Sequence, residues 1–371
     1  SAGDINNGLI NLGVVNYLTA ANNSIDIEAV GNISLTSIEN IKLGSPGGIN
    51  AADMTGNNLG IHSNGPSGNI SISGSLINID TNAVIPKIFN SDLHISGYNI
   101  YLQNIYDVYL GVGAQGADAQ TISGNDIFIT ASNDITASNV FNVGGDSTVL
   151  GKEASDLLGN NVSIAATDAI AIKSLDIYGS SDVNLNAQHL TIGDHSGSYG
   201  QGLNLIGGST QTITLHGNII DVSTYNYGAG NTAQSSLLLT TVSLDGDSAH
   251  FDLYANRATV SDVIVNGTHD IFALHTNLSA SSSFINLKAN FDVSSLTHGQ
   301  DFTIDLSAIN LSSSSQLTIS SSTLSGYETL HIQNNHASLV PTLDIYLNNV
   351  HSTDATDHLL SISSHSFILH V

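Results

Sequence analysis

The chain has 371 residues, 41% of them apolar and only 10% charged, with no Cys and a formal net charge of −25 from 31 acids against six Lys and Arg. Neutralising phosphates takes clustered Lys and Arg, so this balance excludes nucleic acid as a partner and disfavours anionic membrane surfaces. Without Cys there is neither a thiolate metal site nor thiol catalysis, and no apolar run approaches the roughly 20 residues that a membrane helix needs.

The chain opens on SAGDINNG, with no basic and apolar leader, and reads there as a mature end. The first regular pattern is SIDIEAVGNISLTSIENIKLGS, residues 24 to 45. Its apolar pairs Ile25/Ile27, Ile33/Leu35 and Ile41/Leu43 each skip one residue, and each begins eight residues after the last. Apolar residues two apart indicate a strand, because successive side chains alternate faces. The same pairs return at Ile70/Ile72, Ile77/Ile79, Ile100/Leu102 and Val108/Leu110, then at Val162/Ile164, Ile170/Ile172, Leu175/Ile177, Val183/Leu185 and Leu190/Ile192. The elbows between them are rich in Gly, Asn, Asp and Ser, residues that make turns by tolerating left-handed geometry or bonding their own backbone.

Short strands with similar elbows favour a solenoid over an antiparallel sandwich, since a solenoid turns the same way at every corner and stacks like strands in parallel. Asn precedes the apolar pair at Asn32, Asn40, Asn69, Asn99 and Asn161, as expected if side-chain amides form ladders along the stack. The expected fold is therefore all-β: a parallel β-solenoid (β-helix) whose coil of about 24 residues is made of three eight-residue strands. Ile33, Ile41, Ile100, Ile164 and Ile172 should be buried, with Ser34, Tyr101 and Ser163 facing out.

Composition shifts near GAGNTAQSS, residues 228 to 236. Beyond residue 240 only Gly246, Gly267, Gly299 and Gly326 remain of 35 Gly, whereas ten of the 15 His and six of the nine Phe lie there. This divides the chain into a Gly/Asn-rich solenoid over 1–230 and a Ser/His-rich β segment over 231–371. The second part continues the solenoid or forms a β-sandwich.

The strings GNISLTSIENIKLG, NDIFITASNDITASNVFNVGG and NVSIAATDAIAIKSLDIYGSSDVNLNAQHLTIG resemble secreted bacterial β-helix proteins. The resemblance is to filamentous-haemagglutinin-like adhesins and autotransporter passengers, and it covers roughly residues 20 to 225. It is one of texture rather than of a signature motif. It implies an extracellular or cell-surface protein that works in adhesion or assembly.

Several residues invite a functional reading. In YNIYLQNIYDVYLG, Tyr98 and Tyr106 are eight apart, as are Tyr101 and Tyr109. Tyr101 and Tyr109 each lie between two inward-facing residues, so both should point outward, where aromatic rings stack on sugars or anchor a partner. Burial under a loop or a neighbouring subunit is the alternative. At the other end, SFILHV places Phe367, Ile368, Leu369 and Val371 in an apolar tip that a second copy of the chain would cover, the start of an open fibre if the contact does not close.

The acids suggest catalysis only weakly. Polysaccharide-cleaving β-helices pair carboxylates, yet Asp194/His195, Asp245/Asp247 and the single Arg, Arg257, form no dense cluster in the sequence. No catalytic residue and no cofactor is expected. Calcium stays open as an alternative, because GGDS (144–147) and DGDS (245–248) have Asp/Gly loop character and hard cations take several oxygen ligands. The histidine pairs 331/336, 351/358 and 365/370 match no metal-ligand spacing. Asn-x-Ser/Thr sequons at Asn22, Asn32, Asn69, Asn161, Asn266, Asn277 and Asn310 mostly fall where turns need Asn anyway.

The expected function is that of a non-enzymatic extracellular structural protein, a self-assembling subunit of a surface or biofilm-matrix fibre or adhesive appendage. A glycan-binding adhesin using the tyrosine face is the alternative, and a polysaccharide-cleaving enzyme a weaker one. The expected partners are other copies of the chain and surface glycans.

Overall fold

The computed structural model describes residues 5–7, 24–38, 41–43, 54–55, 58–74, 76–79, 88–89, 92–103, 107–110, 122–123, 126–144, 161–178, 182–193, 202–206, 212–224, 237–255, 257–275, 286–297, 300–307, 317–324, 327–334, 342–351 and 366–370. Every regular element among them is a strand. The fold is a parallel β-solenoid, packed as two compact units: residues 1–187 with 204–212, and residues 188–203 with 213–371.

In the first unit two sheets run side by side through the coils. The first sheet stacks Ser24–Ala29, Asn58–Ser63, Leu93–Gly97, Ile127–Ala131, Asn161–Ala166 and Asp182–Asn186, each parallel to the next. The second stacks Ile33–Ile38, Ile70–Gly74, Ile100–Gln103, Asp134–Gly144 and Ala169–Tyr178 in the same way. From each first-sheet strand to the second-sheet strand that follows it the chain has only a short elbow, and the apolar residues meet their counterparts in the neighbouring coil. Leu59, Leu93, Ile127, Val162 and Val183 form one buried column, and Ile33, Ile70, Ile100, Ile135 and Ile170 form another. Each such side chain removed from water is worth about 1.5–3 kcal/mol, and each covers the one below it, so the coils stabilise one another.

Ile33, Ile100, Ile164 and Ile172 are buried as the alternation predicts, and Ser34, Tyr101 and Ser163 alternate with them as the more exposed positions. The side chain of Ile41 lies outside the described residues; its backbone pairs with Ile77.

The coil is longer than the eight-residue spacing suggests. Asp92 bonds Asn58 34 residues back, Asp126 bonds Asp92 at the same offset, and Asn161 bonds Asp126 at 35. The reason is that Ile25, Ile33 and Ile41 do not mark three sides of a triangle. Ile33 and Ile41 both sit in the second sheet, and the chain then runs through the short strand Met54–Thr55, in a three-stranded sheet with Ile88–Phe89 and Ile122–Ser123, before it returns. A short coil does occur: Val183 pairs directly with Val162.

Within the second unit the strands also stack in parallel. Thr212–Gly217, Leu237–Leu244, Arg257–Val265, Asn286–Asp292 and Thr342–His351 form its first sheet. His189–Ile192, Ile219–Ser223, His250–Tyr254, Asp270–His275 and Asp301–Asp305 form its second. The composition shift at 228–236 lies outside the described residues, but strands on either side of it pair with each other. Composition changes there because the core filling changes, and backbone pairing runs on. Phe251, Phe272, Phe291 and Phe302 are all fully buried, with successive ring centroids 5.3, 5.1 and 5.2 Å apart. Rings bury more area per position than Ile or Val, and these four account for most of the late Phe. From Leu237 to Asp305 the described strands stack in parallel.

The stacking then changes direction. Leu317–Leu324 and Tyr327–Asn334 form an antiparallel hairpin, and Tyr327–Asn334 lies antiparallel to Thr342–His351. Ser366–His370 lies antiparallel to Asp301–Asp305. The residues Phe367, Ile368 and Leu369 pair through their backbone with Ile304, Thr303 and Phe302 of their own chain. Val371 lies outside the described residues.

Candidate functional site

The tyrosine face is built by the second sheet of the first unit. Tyr101 follows the buried Ile100 and precedes the buried Leu102, so the pleat directs it outward, with 36% of its surface exposed. Its cross-strand neighbours are Ser71 on one side and Thr136 on the other, and the column goes on to Ser34 and Ala171. A large ring flanked by small side chains stands clear of the sheet. Tyr98 sits at the preceding elbow and is half-buried; its N–H donates to Gly68 O and its carbonyl accepts from the N–H of Asn133, both at 2.9 Å. Tyr109 stands in Asp107–Leu110, paired with Asn78 and Gly144, and Tyr106 lies outside the described residues. Among the described side chains of the set, Tyr101 is the exposed one.

Two further aromatic pairs escaped the sequence reading. His94 and Phe128 stack on the outer side of the first sheet, centroids 4.8 Å apart and planes 21° from parallel. Tyr254 and His275 stack in the second unit at 4.2 Å and 11°. Both pairs join adjacent coils, so the residues are far apart in sequence. The signal that would have found them is the coil offset: residues 94 and 128 are separated by the same 34 positions as Asp92 and Asp126.

The polar groups at the elbows form ladders. The N–H of Asn69 donates to Asn32 Oδ1 at 2.9 Å, Asn99 Nδ2 donates to Asn69 Oδ1, and Asn133 Nδ2 donates to Asn99 Oδ1, both at 2.9 Å. A second ladder enters the first sheet, where Asn58, Asp92 and Asp126 each accept the backbone N–H of the next coil's elbow. Burial is the main cause that pushes the Asp92 carboxyl above its ordinary value; the N–H of Asp126 works against it, the Asp126 carboxylate adds to it, and nearby His94 opposes it. The sequon residues Asn32 and Asn69 are ladder members, and Asn266 Nδ2 donates to Ser243 Oγ at 3.2 Å. Asn22, Asn277 and Asn310 lie outside the described residues.

The Asp/Gly loop at 245–248 is a corner bonded to the corner of the next coil. Thr268 N–H donates to Asp247 Oδ1 at 3.1 Å, and Ser248 N–H donates to Thr268 O at 2.8 Å. Asp245 is held by His216 and by Ser243 Oγ. Asp270 is fully buried behind this corner and accepts the N–H groups of Ala249 and Gly267 at 2.8 and 3.3 Å. Burial pushes its carboxyl up to about 6 despite those two bonds; Asp247 raises it further and His250 lowers it. These carboxylates are oriented toward backbone of the neighbouring coil, and no group of three or more His, Asp or Glu suited to a metal occurs among the described residues. Of the other loop, only Gly144 is described; Asp194 and His195 lie outside the described residues, as do His336, His358 and His365. His331, His351 and His370 stand in separate strands of the antiparallel end.

Two histidine contacts join successive coils of the second unit at ordinary distances. His269 Nδ1 lies 2.6 Å from Asp301 Oδ1, and His275 Nε2 lies 2.8 Å from Asp252 Oδ1. In the first unit, His62 Nδ1 lies 2.8 Å from Ser96 Oγ, and its Nε2 leans with Asp26 Oδ1 over Gly60, at 2.7 and 2.6 Å from where a Cβ would stand. Comparison of the chain with protein-family models, with curated proteins and with solved structures finds no match.

Proposed function

We propose that this chain is an extracellular structural protein, a self-assembling subunit of a surface layer, matrix fibre or adhesive appendage. The observation that carries this reading is where the polar side chains are spent. Asn32, Asn69, Asn99, Asn58, Asp92, Asp126, Asp134, Asp247 and Asp270 all accept hydrogen bonds from a neighbouring coil or corner. Groups used this way stabilise a repeating scaffold and leave little for a reaction centre. Outward positions such as Ser34, Ser71, Ser96, Thr136, Ser163 and Asn184 are uncharged and polar, and the resemblance to secreted β-helix adhesins points the same way. Purified protein should assemble as its concentration rises, which light scattering detects; scattering that stays at the monomer value would count against the reading.

Tyr101 favours a second reading, a glycan-binding adhesin. A ring standing clear of Ser71 and Thr136 offers one flat apolar surface on a hydroxyl-rich sheet, which suits a sugar ring. Glycan-array binding that disappears in Tyr101→Ala/Tyr109→Ala supports it, and binding unchanged by that double substitution rejects the tyrosine face.

A further inference from the structure

Among the described strands, Leu317–Leu324 closes the first sheet of the second unit and has a hydrogen-bonded neighbour on one side only. Natural edge strands are blunted by Lys, Pro, bulges or short length. This one has eight residues, LTISSSTL, with neither charge nor Pro. It pairs with Tyr327–Asn334 over eight consecutive positions without a register shift. The other closing strand, Ser366–His370, has five residues and lies beside Asp301 and Asp305, which would repel a second acidic chain.

The hairpin determines which groups the edge offers. Leu324 stands opposite Tyr327, across a connection of two residues, and such a turn closes on a hydrogen-bonded pair. Counting back in twos, Leu324, Ser322, Ser320 and Thr318 bond to the neighbouring strand. Thr323, Ser321, Ile319 and Leu317 direct N–H and C=O to the open side. Those same residues continue register columns that end in the buried Ile345 and Leu347: Ile319–Ile332–Ile345 and Ser321–Leu330–Leu347.

We propose that this edge is where two copies of the chain associate, pairing antiparallel about a two-fold axis at Ser321. A symmetric contact must match the edge to itself, and only pairing of outward-directed residues with one another makes the bonds. Ser321 then faces Ser321 of the second copy, and Ile319 faces Thr323 of the second copy, giving about six hydrogen bonds between chains. For a chain of charge −25, an uncharged strand is where two copies approach at least electrostatic cost. The inference rests on the self-assembly reading and names one of its contacts; this contact closes on itself, so a fibre requires a second.

The test is sedimentation of the full-length chain from about 1 to 100 μM, for the wild type and Ser321→Pro. Proline at 321 removes an N–H directed to the open side and leaves the hairpin's own bonds in place. The wild type should show a monomer–dimer equilibrium, and the variant should weaken it at least tenfold with its β circular dichroism unchanged. If Ser321→Pro does not fold, Ser320→Cys/Ser322→Cys decides. Residues 320 and 322 of opposite copies then face each other at non-hydrogen-bonded positions, about 4.5 Å between Cα atoms, within disulfide reach. The chain has no other Cys, so oxidation should give a covalent dimer. Unchanged dimerisation in folded Ser321→Pro, or no covalent dimer from the cysteine pair, overturns the edge contact. Assembly that persists in those variants leaves the self-assembly reading standing on another surface. A wild type that stays monomeric throughout overturns both.

Discussion

Asn99 Nδ2 donates to the Oδ1 of Asn69 at 2.9 Å, and Asn99 Oδ1 in turn accepts from Asn133 Nδ2 and from the N–H of Asp134. One side chain thus ties three successive coils. Asn99→Ala removes these bonds at once and should cost about 2–3 kcal/mol, at roughly 1 kcal/mol for each. Urea unfolding would measure it. A loss below about 0.5 kcal/mol would mean that water replaces the ladder without penalty.

Ile172 is buried in a column that runs from Leu35 through Ile72, Leu102 and Ala137. Ile172→Asp would place an unpaired charge in that column, a cost on the order of 4–5 kcal/mol. Limited proteolysis should find new cleavage around Ala169–Tyr178. A variant as resistant as the wild type would contradict the register.

Asp270 makes the second unit sensitive to pH. Its folded-state value, about 6, lies above the ordinary 3.8, so the fold favours the protonated carboxyl. The stability that this group contributes is fully present below about pH 4 and is lost as pH rises through 6, on the order of 2–3 kcal/mol. Asp270→Asn should flatten the change in thermal stability between pH 4 and 6.5. An identical slope in the two proteins would assign the dependence to other groups.

Gly246 and Gly267 face each other across adjacent corners and should respond differently to Ala. A Cβ on Gly267 would run into the carbonyl oxygen of Gly246, a backbone atom that cannot move aside without moving the corner. Gly246 has open space but a φ of +84°, a left-handed strain of about 1–2 kcal/mol for Ala. Gly267→Ala should therefore lower the melting temperature more than Gly246→Ala. The reverse order would show that the corners are not in contact.

The strands were legible because alternation is local: Ile33 and Leu35 announce an inward face from within three residues. The perimeter of the coil was not, because Ile33 and Ile41 belong to one sheet and the return path shows no apolar clock. The Asn ladder was legible from Asn32, Asn69 and Asn99 recurring before their strands. Its second rank was not, since Asp92 and Asp126 take the same role with a different side chain. Tyr101 could be placed outward from its two neighbours alone. The His94–Phe128 stack depends on a 34-residue offset that only pairing reveals, and the bonds that tie DGDS to Thr268 join residues of different coils.

We propose that the chain assembles with its own copies. Electron microscopy of the purified full-length protein, imaged from dilute to about 100 μM, tests it most directly. Ordered multi-copy assemblies that become more abundant with concentration are the predicted result. A field of single, separate particles at every concentration would contradict it.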